Sequence, residues 1–308
     1  MLLIPPTFLD LSYSDNHPYE VELAHVGQGN WRAFRTIGIS LSDTMDIARS
    51  WSAPFYGIDR PWLCWHVDDD WSMVQQRLVA SVGWTPVVGF DPRVGPPQKT
   101  TPEAVVIDFN RDLGLPLLYP HFPLEFVFLF CKKIAFWHSD LLVRSNKLQK
   151  VAVTFDDLEN GQTFAIKPRV GRREFFSTKK KRYWELLGCT TERASRDQFM
   201  KGCGWWMDYW AHPNQKQGHY IRNKYYWDHG AGIYYWRKRE GGICKIKNEL
   251  SFQEWHFTKI GNKNYSRFRE HNAMSYARRT MSSEIKENFD LVYACKSLSL
   301  DHYLTTSD

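Results

Sequence analysis

The chain has 308 residues, 43% of them hydrophobic and 24% charged, a balance that excludes a disordered, fibrous or collagen-like polymer. Forty Lys and Arg against 34 Asp and Glu leave a net charge of +6. That suits polyanionic partners such as nucleic acid, nucleotides or an anionic membrane face, yet falls short of a dedicated DNA-binding domain.

The six cysteines, Cys64, Cys131, Cys189, Cys203, Cys244 and Cys295, are scattered with no C-x-x-C pair. They read as reduced thiols of an intracellular protein, not as a zinc site or disulfide frame. Aromatics are abundant at 16%, with 14 Trp, which suits either an aromatic core or flat faces that stack on sugars and bases.

The N-terminal stretch "MLLIPPTFLDLSYSD" has no basic leader region and carries Pro5 and Pro6, so it does not read as a signal peptide. Within residues 1–60, "AHVGQGNWRAF" reads as a Gly-bearing loop, and "TIGISLSDTMDIARSW" has room for a strand and a helix. "RPWLCWHV" predicts a strand. "DDDWSMVQQRLVASVGW" predicts a helix with Asp68–Asp70 at its N-terminus, where carboxylates suit the dipole. "TPVVGFDP" and "AVVIDF" predict two further strands, joined by the Pro/Gly-rich "RVGPPQKTTPE". "FPLEFVFLFC" reads as a short apolar helix or strand. Its run at 124–130 is too short to span a bilayer and closes at Lys132 and Lys133. A cytoplasmic protein without a transmembrane segment is expected, peripheral membrane association being left open.

Next comes "CKKIAFWHSDLLVRSNKL", residues 131–148. An apolar strand is broken by His138, Ser139 and Asp140 before Leu141 resumes it. Strands alternating with helices, and runs apolar on both faces, predict an α/β fold with a mostly parallel central sheet and helices on both faces. In open α/β sheets ligands gather at the carboxyl ends of strands. A strand ending in His-Ser-Asp would deliver a carboxylate there as a hard ligand for Mg²⁺ or Mn²⁺. The structural alternative is that Asp140 caps the next turn and His138 is a satisfied core histidine.

Beyond residue 150 the character changes. "RVGRREFFSTKKKRYW", with Arg169, Arg172, Arg173 and Lys179 to Arg182, is a basic loop. It suits a lid over a diphosphate or a landing strip for an anionic acceptor, and equally a solvated charge run. Three aromatic, glycine-punctuated blocks follow, giving the chain an aromatic-rich C-terminal half. Residues 266–293 have an amphipathic helical pattern. Walker A, strand-linked G-x-G-x-x-G, G-x-S-x-G and H-E-x-x-H motifs are missing from the sequence.

Over roughly residues 85–262 the pattern resembles the GT-A glycosyltransferases, Rossmann-related enzymes that use nucleotide sugars and hold a divalent metal with a D-x-D motif at the end of an apolar strand. Here the motif is H-S-D, one acidic residue instead of two. The resemblance implies Asp140 as metal ligand and His138 as a second contact on the donor side. "GCGWWMDYWAHPN" would be the acceptor side, with Gly204, Trp205, Trp206 and Trp210 as a sugar floor. Asp208 there, or Asp228 in "YYWDHGAGIYYW", would serve as general base if the reaction inverts. "EWHFTKIG" resembles the C-terminal clamp, with His256 as a further metal ligand and Lys259, aided by Arg172 or Arg173, offsetting diphosphate charge. The cofactor expected is Mn²⁺ or Mg²⁺. The partners expected are a nucleoside-diphosphate sugar and a glycan or nucleic-acid acceptor.

The organisation expected is one catalytic domain over 1–262, with a nucleotide-binding half at about 60–150 and an acceptor half at 151–262. A helical extension would cover 263–308. A different class of function competes with this one: a non-catalytic nucleic-acid- or glycan-binding protein using the basic loop and aromatic surfaces. A metal-dependent nuclease or phosphotransferase would need more clustered carboxylates than 138–140 supplies.

Overall fold

A computed structural model describes residues 20–26, 30–35, 41–66, 68–90, 94–114, 120–139, 141–168, 181–205, 230–248, 255–256 and 291–304. The chain is α/β. A hairpin of β1 (Glu20–Val26) and β2 (Asn30–Arg35) comes first. "AHVGQGNWRAF" therefore contributes to two antiparallel strands, whereas the sequence reading expected a loop. Its glycines fall between the strands, and the polar content of "NWRAFR" hides the alternation. Helix α1 (Leu41–Ser52) follows.

Seven strands then form one sheet: β3 (Pro61–His66), β4 (Thr85–Phe90), β5 (Val105–Ile107), β6 (Lys133–Trp137), β8 (Gln162–Lys167), β9 (Trp184–Thr191) and β10 (Ile243–Asn248), in the order β10-β8-β9-β6-β3-β4-β5. Strands β5, β4, β3 and β6 run parallel. Strand β9 is antiparallel to both its neighbours, and β10 runs parallel to β8. The intervening helices are α2 (Asp69–Ser81), α3 (His121–Val127), α4 (Ser145–Asp156), α5 (Glu192–Met200) and α6 (Ala231–Arg239), with α7 (Leu291–Leu298) near the end. The short strand β7 (Leu141–Leu142) pairs antiparallel with β11 (Trp255–His256), outside the main sheet.

Both faces of the sheet are covered, which is why every residue of β3 is buried. Pleating sends Trp62 to one face, where it meets Trp84, Trp137 and Phe155 of α4 at centroid separations of 5.6, 5.3 and 5.1 Å. On the other face Trp65 stacks on Phe109, which is edge-on to Trp51 of α1. Phe136 lies across Gly188, its partner on β9, where an added Cβ would stand 2.5 Å from the ring. Much of the tryptophan content is therefore core.

Helix α2 begins as its sequence predicts. Asp68 is extended and its carboxylate accepts from Trp71 N at 3.1 Å, with Asp69 and Asp70 in the first turn. At the C-terminus of α4, Lys133 Nζ donates to the carbonyls of Phe155 and Asp156, both at 2.8 Å, satisfying acceptors that a helix end leaves open. Burial there pulls the Lys133 ammonium below its ordinary range. The C-terminal residues pack back on the core. Arg77 of α2 donates to Tyr303 O at 2.6 Å and Arg144 to Ser297 O at 3.3 Å. All six cysteines are free and five are buried; burial pushes the Cys64 thiol up to about 12. Among the described residues no helix is long and apolar enough to cross a membrane.

Candidate functional site at the carboxyl edge of the sheet

Strand β3 has β4 on one side and β6 on the other, because the chain builds outward to β5 and then returns across β3. That reversal is the switch point at which open α/β sheets leave a crevice for ligands, at the carboxyl ends. His66 ends β3 there and His138 follows β6 there. Strands β8 and β10 end at the same edge, at Lys167 and Asn248, while the reversed strand β9 begins at it with Trp184. The basic segment 169–182 therefore leaves and re-enters the described structure at the edge that carries His-Ser-Asp.

The break in the 131–148 stretch is a tight turn. Leu141 N donates to His138 O at 3.2 Å, and His138 N donates across to Leu186 O of β9 at 2.8 Å. From α2, the fully buried Gln75 donates through Nε2 to His138 O and to Leu141 O, both at 2.9 Å. Two elements, α2 and β9, thus fix the backbone on either side of residues 139 and 140. The His138 side chain is about one quarter exposed, with Nε2 at 3.8 Å from Oε1 of Glu185; Oε2 of that carboxylate lies 3.9 Å from Nη1 of Arg182.

Strand β11 returns the chain to this turn. His256 pairs with Leu141 and Trp255 with Leu142. Leu141 is the residue after Asp140, so the distant "EWHFTKIG" block meets the His-Ser-Asp block through a backbone pairing that sequence order alone does not require.

The segment 206–229 is anchored nearby. Tyr183 N donates to Gly230 O at 3.2 Å, and Gly230 N donates to Trp205 O at 2.7 Å. The chain thus leaves at Trp205 and returns at Gly230 beside the start of β9. Gly230 has φ +80°, and a Cβ there would stand 2.0 Å from Tyr183 O, so only glycine closes this junction. The Tyr183 phenol, pushed up to about 12 by burial, accepts from Arg237 Nη1 at 3.0 Å.

Two residues expected on the acceptor floor serve the core instead. Trp205 is fully buried and edge-to-face with Phe136 at 5.1 Å, so its ring is turned away from solvent. Gly204 is buried, and a Cβ on Gly232 of α6 would stand 2.3 Å from its carbonyl. Gly232 therefore lets α6 approach the backbone of Cys203 and Gly204 closely. Asp140, Arg172, Arg173, Trp206, Asp208, Trp210, Asp228 and Lys259 lie outside the described residues, and His256 is described by its backbone alone. Among the described residues no group of three or more His, Cys, Asp or Glu is placed to hold a metal ion.

Three residues of this edge escaped the sequence reading. Gln75 looks like any polar helix position. Glu185 sits in "YWELLGC", where a carboxylate inside an apolar run was the available signal, the same signal that marked His138. His66 is 3% exposed, with Nε2 at 3.8 Å from Asp69 Oδ1; burial holds its imidazole below the ordinary value, against the opposing pull of Asp69 and Asp68.

No protein-family model matches the chain, and no curated protein or solved structure matches it at a significant level.

Proposed function

We propose that the chain is a GT-A-like glycosyltransferase, moving a sugar from a nucleoside-diphosphate sugar to a glycan or nucleic-acid acceptor. The observation that carries this reading is the β7–β11 pair, which sets the backbone of His256 against the residue that follows Asp140, at the switch point of the sheet. A carboxylate from Asp140 and an imidazole from His256 form a donor set that suits Mn²⁺ better than Mg²⁺. The cation would offset charge on the donor diphosphate. Lys259, with Arg172 or Arg173, would add positive charge for the departing nucleoside diphosphate. Support for the last two comes from the basic segment being anchored at both ends on the same edge. Support for Asp208 or Asp228 as general base comes from the closed junction of Trp205 and Gly230 beside β9.

The test is thermal stability against UDP, GDP, ADP and CDP, each with and without Mn²⁺. A ligand at 100 times its Kd stabilises the native state by about 2.7 kcal/mol. A shift with one nucleotide that requires Mn²⁺ is the expected result. A shift independent of metal would keep the transferase and remove Asp140 and His256 as ligands. Absence of any shift would contradict the proposal and favour nucleic-acid or glycan binding without catalysis.

A further inference from the structure

The described part of the crossover from β4 to β5, residues 94–104, contains no helix. It lies as turns and extended chain along α2, leading back from the carboxyl end of β4 to the start of β5, which runs parallel beside it. Little holds it there. Gln98 N donates to Asp69 Oδ1 at 2.8 Å, in the first turn of α2, and Thr101 N donates to Gln76 Oε1 at 2.9 Å further along the helix. Lys99 Nζ lies 3.5 Å from Asp70 Oδ1, with both side chains well exposed. Thr101 is the one buried residue among 94–104. A segment with so few buried contacts opens at a free energy well below that of the core.

The Gln98 anchor is shared with a buried histidine. His66 closes β3 beside the first turn of α2, 3% exposed, and its Nδ1 meets no hydrogen-bond partner. Asp69 Oδ1, the oxygen that holds Gln98, is 3.8 Å from His66 Nε2, too far for a hydrogen bond. A neutral imidazole is tolerated in that setting. An imidazolium is not, because protonation turns both ring nitrogens into donors and leaves a buried cation without a bonded acceptor. The charges acting on the ring among the described residues are Asp69 and Asp68, both at the start of α2. Strand β4 places Phe90 opposite it, and the segment 94–104 brings Lys99, facing Asp70, and the exposed Glu103. Burial outweighs the two carboxylates and holds the imidazole below its ordinary value. To take a proton, the first turn of α2 must therefore move, either closing Asp69 on Nε2 or letting water in. Asp69 is the residue that anchors Gln98, so both responses act on the same contact.

We infer that His66 and Asp69 form an acid-released latch, in which protonation of His66 frees the segment 94–104 from the N-terminal half of α2. Opening uncovers that half of the helix beside the switch point of the sheet. The inference does not rest on the transferase reading.

Hydrogen exchange on the whole chain between pH 7 and pH 5, corrected for the intrinsic pH dependence of exchange, tests it. The Gln98 and Thr101 amides should be less protected than those of β4 at both ends of the range. Their protection should fall by up to about 25-fold from pH 7 to pH 5, the limit for a histidine that takes its proton at about 6.5 once released. His66→Leu and His66→Gln, each shown to be folded by its melting curve, should remove this dependence. Asp69→Asn keeps an acceptor oxygen for Gln98 but cannot titrate, and it should retain the dependence. Protection of Gln98 and Thr101 that stays flat or rises towards pH 5 in the wild type would overturn the inference without recourse to any variant. So would a fall that persists in both His66 variants, one that disappears in Asp69→Asn, or exchange of these amides only together with β4.

Discussion

Replacing Gln75 by Met keeps side-chain length and helix propensity but removes the amide that holds both sides of the His-Ser-Asp turn. Two acceptors lose a donor at 2.9 Å, the carbonyls of His138 and Leu141. The His138 carbonyl retains the Leu141 amide at 3.2 Å, so its loss costs about 1 kcal/mol; the Leu141 carbonyl, in the buried contact, costs about 1–2 kcal/mol. The total of about 2–3 kcal/mol lowers Tm by roughly 6–9 °C, at ~3 °C per kcal/mol for a chain of this size class. Gln76→Met is the matched control. Gln76 is equally buried on the same helix but serves Ser72 and the amide of Thr101. Both variants should melt earlier, and only Gln75→Met should lose the Mn²⁺-dependent nucleotide shift. A Gln75→Met variant that melts within about 2 °C of wild type, or a Gln76→Met variant that loses the nucleotide shift to the same extent, would rule out this role for Gln75.

Gly230→Ala should destabilise by about 3 kcal/mol or more, read from denaturant midpoints, because its Cβ meets the Tyr183 carbonyl in a left-handed backbone. Ser299→Gly should do the opposite. Ser299 has φ 59° and closes α7, with its amide on Lys296 O and the Leu300 amide on Cys295 O, so glycine there should add about 0.5–1 kcal/mol in the same assay. His66 sets an acid limb. Burial holds its native value below the ordinary 6.5, so the unfolded chain takes the proton first as pH falls. Its contribution is complete above about 6.5 and is lost below that, by up to ~1.4 kcal/mol per pH unit. In urea titrations from pH 7 to pH 5, His66→Leu should flatten this limb, and an unchanged slope would remove His66 as its source.

The first half of the sheet was legible because its strands are continuous apolar runs bounded by Gly, Pro and Asp, and its first helix carries a carboxylate cap. The end of β6 at His138 was legible for the same reason: a polar triplet interrupts residues that otherwise belong inside. Strands β8, β9 and β10 were not read. β10 is an edge strand whose "ICKIKN" mixes exposed and half-buried positions, so it shows no clean alternation, and the apolar part of β9 is masked by the basic, aromatic stretch before it. The tryptophans of "GCGWW" suggested a stacking floor because composition cannot separate a tryptophan that faces a ligand from one, like Trp205, that fills the space under Phe136. The meeting of His256 with the turn after Asp140 depends on a two-residue pairing across the whole C-terminal half, which no local pattern encodes.

In the proposed site, Asp140 and His256 serve one cation. The most direct measurement is the affinity of the Mn²⁺-nucleotide complex for wild type, Asp140→Asn, His256→Gln and the double variant. Each single change should cost at least about tenfold, and the double change should cost far less than the product of the two, since one cation is lost once. Losses that multiply independently, or either single variant binding like wild type, would contradict the account.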